Sequence, residues 1–237
     1  MSSNPIKKLA GQTAIYGVSS ILGRLLNYLM VPVYVRYFIP EEYGIVNEMY
    51  AYVSFLIVIL TYGMETAFFR YRELHEDKEK VYSTALISIS ITSVFFILFT
   101  LMFTGNIANL LEYPNNPEYV VWFVFIIALD ALSAIPFAKL RAQNKAKRFA
   151  IIKLINIGSN IFFNLFFIVL CPFLQSIKHH GFQDFLNVIY NPAIGVGYIF
   201  ISNLISSIVT IVLLLPEYLT FRFAFDKKLW KQMIVYA

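Results

Sequence analysis

Long apolar runs, set apart by short polar and charged stretches, organise the chain. The apolar positions are continuous and not striped, and each run reaches the roughly 20 residues that cross a hydrocarbon layer as a helix. Six spans are expected. The first covers about 12–38, and Pro40, Glu41 and Glu42 make a short turn after it. The second covers about 44–68 and is followed by Arg70, Tyr71, Arg72 and a charged loop to Lys80. The third, about 83–103, closes at Gly105-Asn106 and a loop with Pro114 and Pro117. The fourth, about 119–138, runs into a basic stretch from Lys139 to Arg148. The fifth, about 149–171, is expected to end at Pro172, and the sixth, about 194–215, at Pro216. Between them, 182–190 reads as a short interfacial helix. Residues 229–237 read as the start of a seventh span, as in the N-terminal half of a longer protein.

Composition supports the pattern. Of the 237 residues, 59% are hydrophobic and 14% charged, against about 25% charged in a soluble domain. The chain is expected to be an all-α polytopic membrane protein. The net charge of +5 invites a nucleic-acid reading, but the bases sit between spans, where positive-inside loops belong. Sixteen of the 19 lysines and arginines fall on one side of the six-span layout, so the N-terminus and the ends of the even-numbered spans are expected in the cytoplasm. The others are Arg24, Lys178 and Arg36, the last a snorkelling anchor. The organisation is then a cytoplasmic tail (1–11), a six-helix lobe (12–216) and a linker with a further helix start (217–237). Lys7 and Lys8 precede a run too long for a signal-peptide core, so that run is read as a retained span.

The polar residues inside the spans carry the candidate chemistry. Arg24 sits mid-span, where an arginine costs roughly 3 kcal/mol to insert, and Asn27, Tyr28 and the kink-forming Pro32 follow. At helical spacing, Asn47, Ser54, Thr61 and Glu65 share a face of the second span, with Glu48 to one side. Asp130, Ser133 and Arg141 share one on the fourth, Lys153, Asn156, Asn160 and Asn164 on the fifth, and Asn203, Ser206 and Thr210 on the sixth. Two readings stand. The amides and hydroxyls can simply bond neighbouring helices, with Arg24 and Asp130 a buried pair. Alternatively they line a wet cavity where Arg24 meets an anionic group, since its planar fork suits phosphate oxygens.

Other motifs are sparse. No GxxxxGK[ST] loop and no HExxH occur. Cys171 is alone, which excludes an internal disulfide and a cysteine metal site. His179 and His180, with Asp184 nearby, read as a wet external loop and not as a metal site. No cofactor is implied. The basic run 141–148 reads as a topology signal or a contact for anionic lipid headgroups.

The order of segments carries a resemblance. KKLAGQTAIYG leads into VSSILGRLLNYLMVPVYVRYF, then PEEYG, YGMETAFFRY and PFAKLRAQNKAKRF. Over essentially its whole length the chain resembles the N-terminal half of bacterial polysaccharide-biosynthesis membrane proteins. These are oligosaccharide-lipid flippases of the superfamily that also holds multidrug and toxin extruders and lipid II flippases. The resemblance implies an exporter with two six-helix lobes around a central cavity, in the bacterial cytoplasmic membrane. It implies an undecaprenyl-diphosphate-linked saccharide as substrate and a C-terminal lobe as partner. Arg24 matches, by span and context, the cavity arginine of related flippases. Asn27, Tyr28, Asn156, Asn160 and Asn164 would meet the headgroup, and Asp130, Glu48 or Glu65 would pair with Arg24 or carry a coupling ion. A drug or metabolite antiporter of the same superfamily is the alternative. A membrane-embedded glycan-transfer enzyme would need acidic or histidine groups on large loops, and the loops here are short.

Overall fold

A computed structural model describes residues 16–18, 21, 25, 28–177 and 186–237. Among these the chain is all-helical, without strands. Five helical segments are long and apolar enough to cross a membrane: Pro40–Leu74, Lys78–Met102, Pro117–Ala142, Ala146–Ser176 and Gly197–Leu219. They correspond to the second through sixth expected spans. Part of the first expected span, with Arg24 and Asn27, lies outside the described residues, as do Lys178, His179, His180 and Asp184. Of the expected interfacial helix, 186–189 is helical and 182–185 falls outside.

The helices in chain order are α1 (Val31–Tyr37), α2 (Pro40–Thr61), α3 (Met64–Leu74), α4 (Lys78–Met102), α5 (Thr104–Leu110), α6 (Pro117–Ala142), α7 (Ala146–Leu165), α8 (Cys171–Ser176), α9 (Gly197–Leu219) and α10 (Lys227–Tyr236). A turn at Leu29-Met30 precedes α1, and Pro32 sits in its first turn, where its missing N–H costs nothing. Helix α6 is the axle of the bundle. It is the most buried of the five spans, and α2, α3, α4, α7 and α9 all pack against it. Small side chains permit the close approach: Ala128, Ala131 and Ala138 on α6 are fully buried, as are Ser83, Thr84 and Ala85 on α4.

Several prolines behave differently from the simple expectation that they end spans. Pro136 lies inside α6 and cannot donate to the carbonyl of Leu132. The Tyr218 hydroxyl of α9 donates to that carbonyl instead, at 2.8 Å, so the helix continues. Pro172 does not end the fifth span. A π-helical turn, Phe166–Leu170, comes just before it, with the Cys171 amide bonded back to the carbonyl of Phe166. The wider turn relieves the clash of the proline ring with the preceding turn, and the helix carries on to Ser176. Pro216 likewise lies within α9, which runs to Leu219.

The second expected span is broken instead. Tyr62 (φ 33°, ψ 47°) and Gly63 (φ 68°, ψ 2°) are both left-handed and separate α2 from α3. Tyr62 is pinned there, its hydroxyl 2.6 Å from Ser88 Oγ, which also accepts from Trp230 Nε1 at 2.7 Å. Trp230 belongs to α10, the expected seventh-span start, which docks on α3 and α4. Its Leu229 and Met233 are buried in the cluster of Met64, Phe68, Tyr82 and Ile135. Asp226 caps α10 by accepting from the amides of Lys228 and Leu229, and it pairs with Lys80 at 2.8 Å.

Two measurements check this arrangement. Gly63→Ala places a Cβ in a left-handed position and against the backbone of Ala237, so a loss of about 2 kcal/mol is expected in thermal unfolding. The Asp226 carboxyl is held down to about 2, first by the Lys80 hydrogen bond and then by the Leu229 amide. A carboxyl lowered by folding stabilises above its ordinary pKa of about 4, and that contribution fades as pH falls toward 2. Trp230 fluorescence is expected to report loosening of α10 in that window, and Asp226→Asn to abolish the pH dependence.

Candidate functional site

The polar faces of four spans converge on two adjoining clefts. The larger, about 440 Å³, is lined by Glu65 of α3, Asp130 and Arg141 of α6, Lys153 and Asn156 of α7, and Asn203, Ser207 and Thr210 of α9, among others. The second, about 290 Å³, is lined by Tyr34, Tyr50, Asn156, Asn160 and Asn203 with two isoleucines. Asn156 and Asn203 belong to both, so the two form one polar track along α7 and α9.

Helical periodicity builds this track. Lys153, Asn156 and Asn160 recur at three- and four-residue steps and therefore share a face of α7. The Asn156 amide donates to the carbonyl of Ser206 at 3.0 Å and to Thr210 Oγ1 at 2.8 Å, fixing α7 to α9. Asn203 donates to the Tyr50 hydroxyl at 2.9 Å, and Ser207 donates to Asp130 at 2.9 Å. Asn164, one turn beyond Asn160, is fully buried, and its amide is used on the Asn160 carbonyl (2.8 Å) and side-chain oxygen (3.0 Å).

The charges fall into two groups. At the rim, Glu65 pairs with Arg141, whose guanidinium lies over Phe69 (5.3 Å) and Phe149 (5.8 Å). Both partners are about one-third exposed, at 38% and 34%. Lys153 rests over the Phe137 ring at 4.3 Å and has no carboxylate within 4.0 Å among the described residues. Away from the cleft, Lys139 is only 3% exposed and is held by Glu79 (2.6 Å), Thr220 (3.0 Å) and the Tyr82 ring (3.9 Å). Arg148 reaches the buried Glu217 at 3.0 Å. Within the basic run, Lys139, Arg141 and Arg148 thus join helices, in addition to whatever the run signals for topology.

A family model described as polysaccharide biosynthesis protein matches residues 9–237. The chain belongs to the polysaccharide biosynthesis protein family. No individual curated protein and no solved structure matches it. Membership and the helical spans make this a multi-pass membrane protein of transporter type, with a role in polysaccharide synthesis or export.

In this polysaccharide biosynthesis protein, the residues singled out from sequence are distributed as follows. Asp130, Glu65 and Asn156 line the larger cleft, and Asn156 and Asn160 the smaller. Asn164 supports Asn160 from the buried side. Glu48 lies apart: it accepts from the hydroxyls of Tyr52 (2.9 Å) and Tyr113 (2.6 Å) and lines neither cleft. Tyr28 is 73% exposed and also lines neither. Lys153 and Arg141 were visible on their polar stripes, but nothing in the sequence matched Arg141 to Glu65 or Lys139 to Glu79. Those partners come from different helices whose relative rotation only packing sets.

The two lysines are expected to behave oppositely. Lys139→Met leaves Glu79 and Thr220 without their donor and should cost about 1–3 kcal/mol in detergent unfolding. Lys153→Met removes a half-buried cation without a direct carboxylate partner and should leave stability unchanged or raise it.

Proposed function

We propose that this chain forms one lobe of a flippase that moves an undecaprenyl-diphosphate-linked oligosaccharide across the bacterial cytoplasmic membrane by alternating access. The lobe would comprise six spans with a cytoplasmic N-terminus, and it would face a second lobe across the track. The observation that carries the reading is the membrane-embedded track itself, with two cations beside a row of amides and hydroxyls, in a polysaccharide biosynthesis protein. Such a surface suits a headgroup that combines phosphate oxygens with sugar hydroxyls, while a polyprenyl tail remains in lipid. In this reading Lys153 and Arg141 meet the diphosphate, and Asn156, Asn160 and Asn203 offer hydrogen bonds to the saccharide. Arg24 and Asn27 would join them from the first span, and Asn164 would hold Asn160 in orientation.

The carboxylates Asp130 and Glu65 on the same track favour a second reading, a cation antiporter of the same superfamily. The two readings make opposite demands on Lys153. A lysine that meets the diphosphate is indispensable, whereas a cation pathway gains from its removal. In cells, Lys153→Met at normal membrane abundance is expected to lower surface polysaccharide at least tenfold. Lipid-linked oligosaccharide should accumulate on the cytoplasmic leaflet. Intact surface glycan with no accumulation would refute the flippase reading.

A further inference from the structure

Four ionisable side chains line the larger cleft: Glu65, Asp130, Arg141 and Lys153, two of each sign. With Glu65 on Arg141 the cleft is formally balanced, and a carboxylate of the chain itself occupies the guanidinium. We infer that Glu65 is a displaceable stand-in for the substrate's anionic group, and that a diphosphate takes its place on Arg141. The inference rests on the lipid-linked reading above and adds to it the step that turns a neutral cleft into a cationic one.

Four observations support the exchange. First, the Glu65–Arg141 pair is open to the cleft, unlike the deeply buried Lys139. Ion pairs that share space with water are weak and are readily exchanged for a better anion. Second, Arg141 Nε is buried and has no hydrogen-bond partner among the described residues, while Glu65 engages only Nη2. The guanidinium is thus incompletely paired, and a ligand with several phosphate oxygens can engage more of its N–H groups than one carboxylate oxygen does. Third, the rings of Phe69 and Phe149 keep the guanidinium in place when the carboxylate leaves. Fourth, Glu65 is in the first turn of α3, directly after the left-handed Tyr62-Gly63 pair. It is therefore carried on a segment that is not helically continuous with α2. When Glu65 withdraws, Arg141 and Lys153 face Asp130 alone, and the cleft has net positive charge.

The test measures binding of undecaprenyl diphosphate to the full-length protein in lipid nanodiscs, with undecaprenol as the tail-only control. Wild type is expected to prefer the diphosphate. Glu65→Gln should tighten binding about three- to fivefold, the range expected for loss of a weak competing pair. Arg141→Gln should weaken it at least tenfold, and the double variant should gain nothing over Arg141→Gln. Glu65→Asp, which shortens the reach by one methylene, should tighten binding by a smaller factor and serves if Glu65→Gln does not fold. A wild type that cannot tell diphosphate from alcohol overturns both the lipid-linked reading and this inference. A wild type that discriminates, with Glu65 variants that bind equally or more weakly, overturns the inference alone. A double variant that gains as much as Glu65→Gln does the same.

Discussion

Water does not reach the hydrocarbon interior, so the backbone of a span must be satisfied within the protein, and the polar side chains it carries inward gain from finding partners there. Helix α6 shows how the requirement is met. Its internal proline exposes a carbonyl, and a tyrosine of α9 supplies the missing donor. Its Lys139 is enclosed by a carboxylate and an aromatic face from α4 and by the hydroxyl of Thr220, which caps the C-terminus of α9. Hydroxyls satisfy themselves locally: Thr61, Ser90, Ser133 and Ser202 all donate to the carbonyl one turn earlier. Amides, charges and a few hydroxyls such as Ser207 and Tyr50 act between helices, and these are the groups from which the track is built.

The same chemistry therefore serves two ends, and burial separates them. Lys139–Glu79 and Arg148–Glu217 each sink one partner into the bundle, where loss of the other would strand a charge. Glu65–Arg141 stands at the cleft wall with both partners partly open. A basic run that looks uniform along the sequence is thus split into residues that bolt helices together and one that opens to the cleft.

Much of the architecture could be read from the chain because membrane spans are defined by length and apolarity, properties that need no tertiary information. The second to sixth spans lie where the apolar runs put them, and the stripes Asp130–Arg141 and Lys153–Asn160 meet as their helical spacing suggests. The departures have physical causes. Pro172 and Pro216 looked like stops, but a π turn accommodates Pro172 and α9 runs on past Pro216 to Leu219. The Tyr62-Gly63 break was not evident, since a tyrosine in left-handed conformation depends on Ser88 and Trp230, distant in sequence. Glu48, a candidate to pair with Arg24 or carry a coupling ion, accepts from two tyrosines whose approach the sequence does not show. Ion-pair partners were illegible because pairing depends on how helices rotate against one another, which composition does not encode.

The π turn at Phe166–Leu170 has a further consequence. One extra residue in a turn rotates everything beyond it by about 100°, so the face that carries Lys153, Asn156 and Asn160 cannot continue past it. The turn itself, residues 166–170, carries only phenylalanines and aliphatic side chains. The turn thus acts as a ruler. From Lys153 to Asn160 α7 rises roughly 10 Å, and that is the length over which this helix presents polar groups to the clefts before its phase is lost.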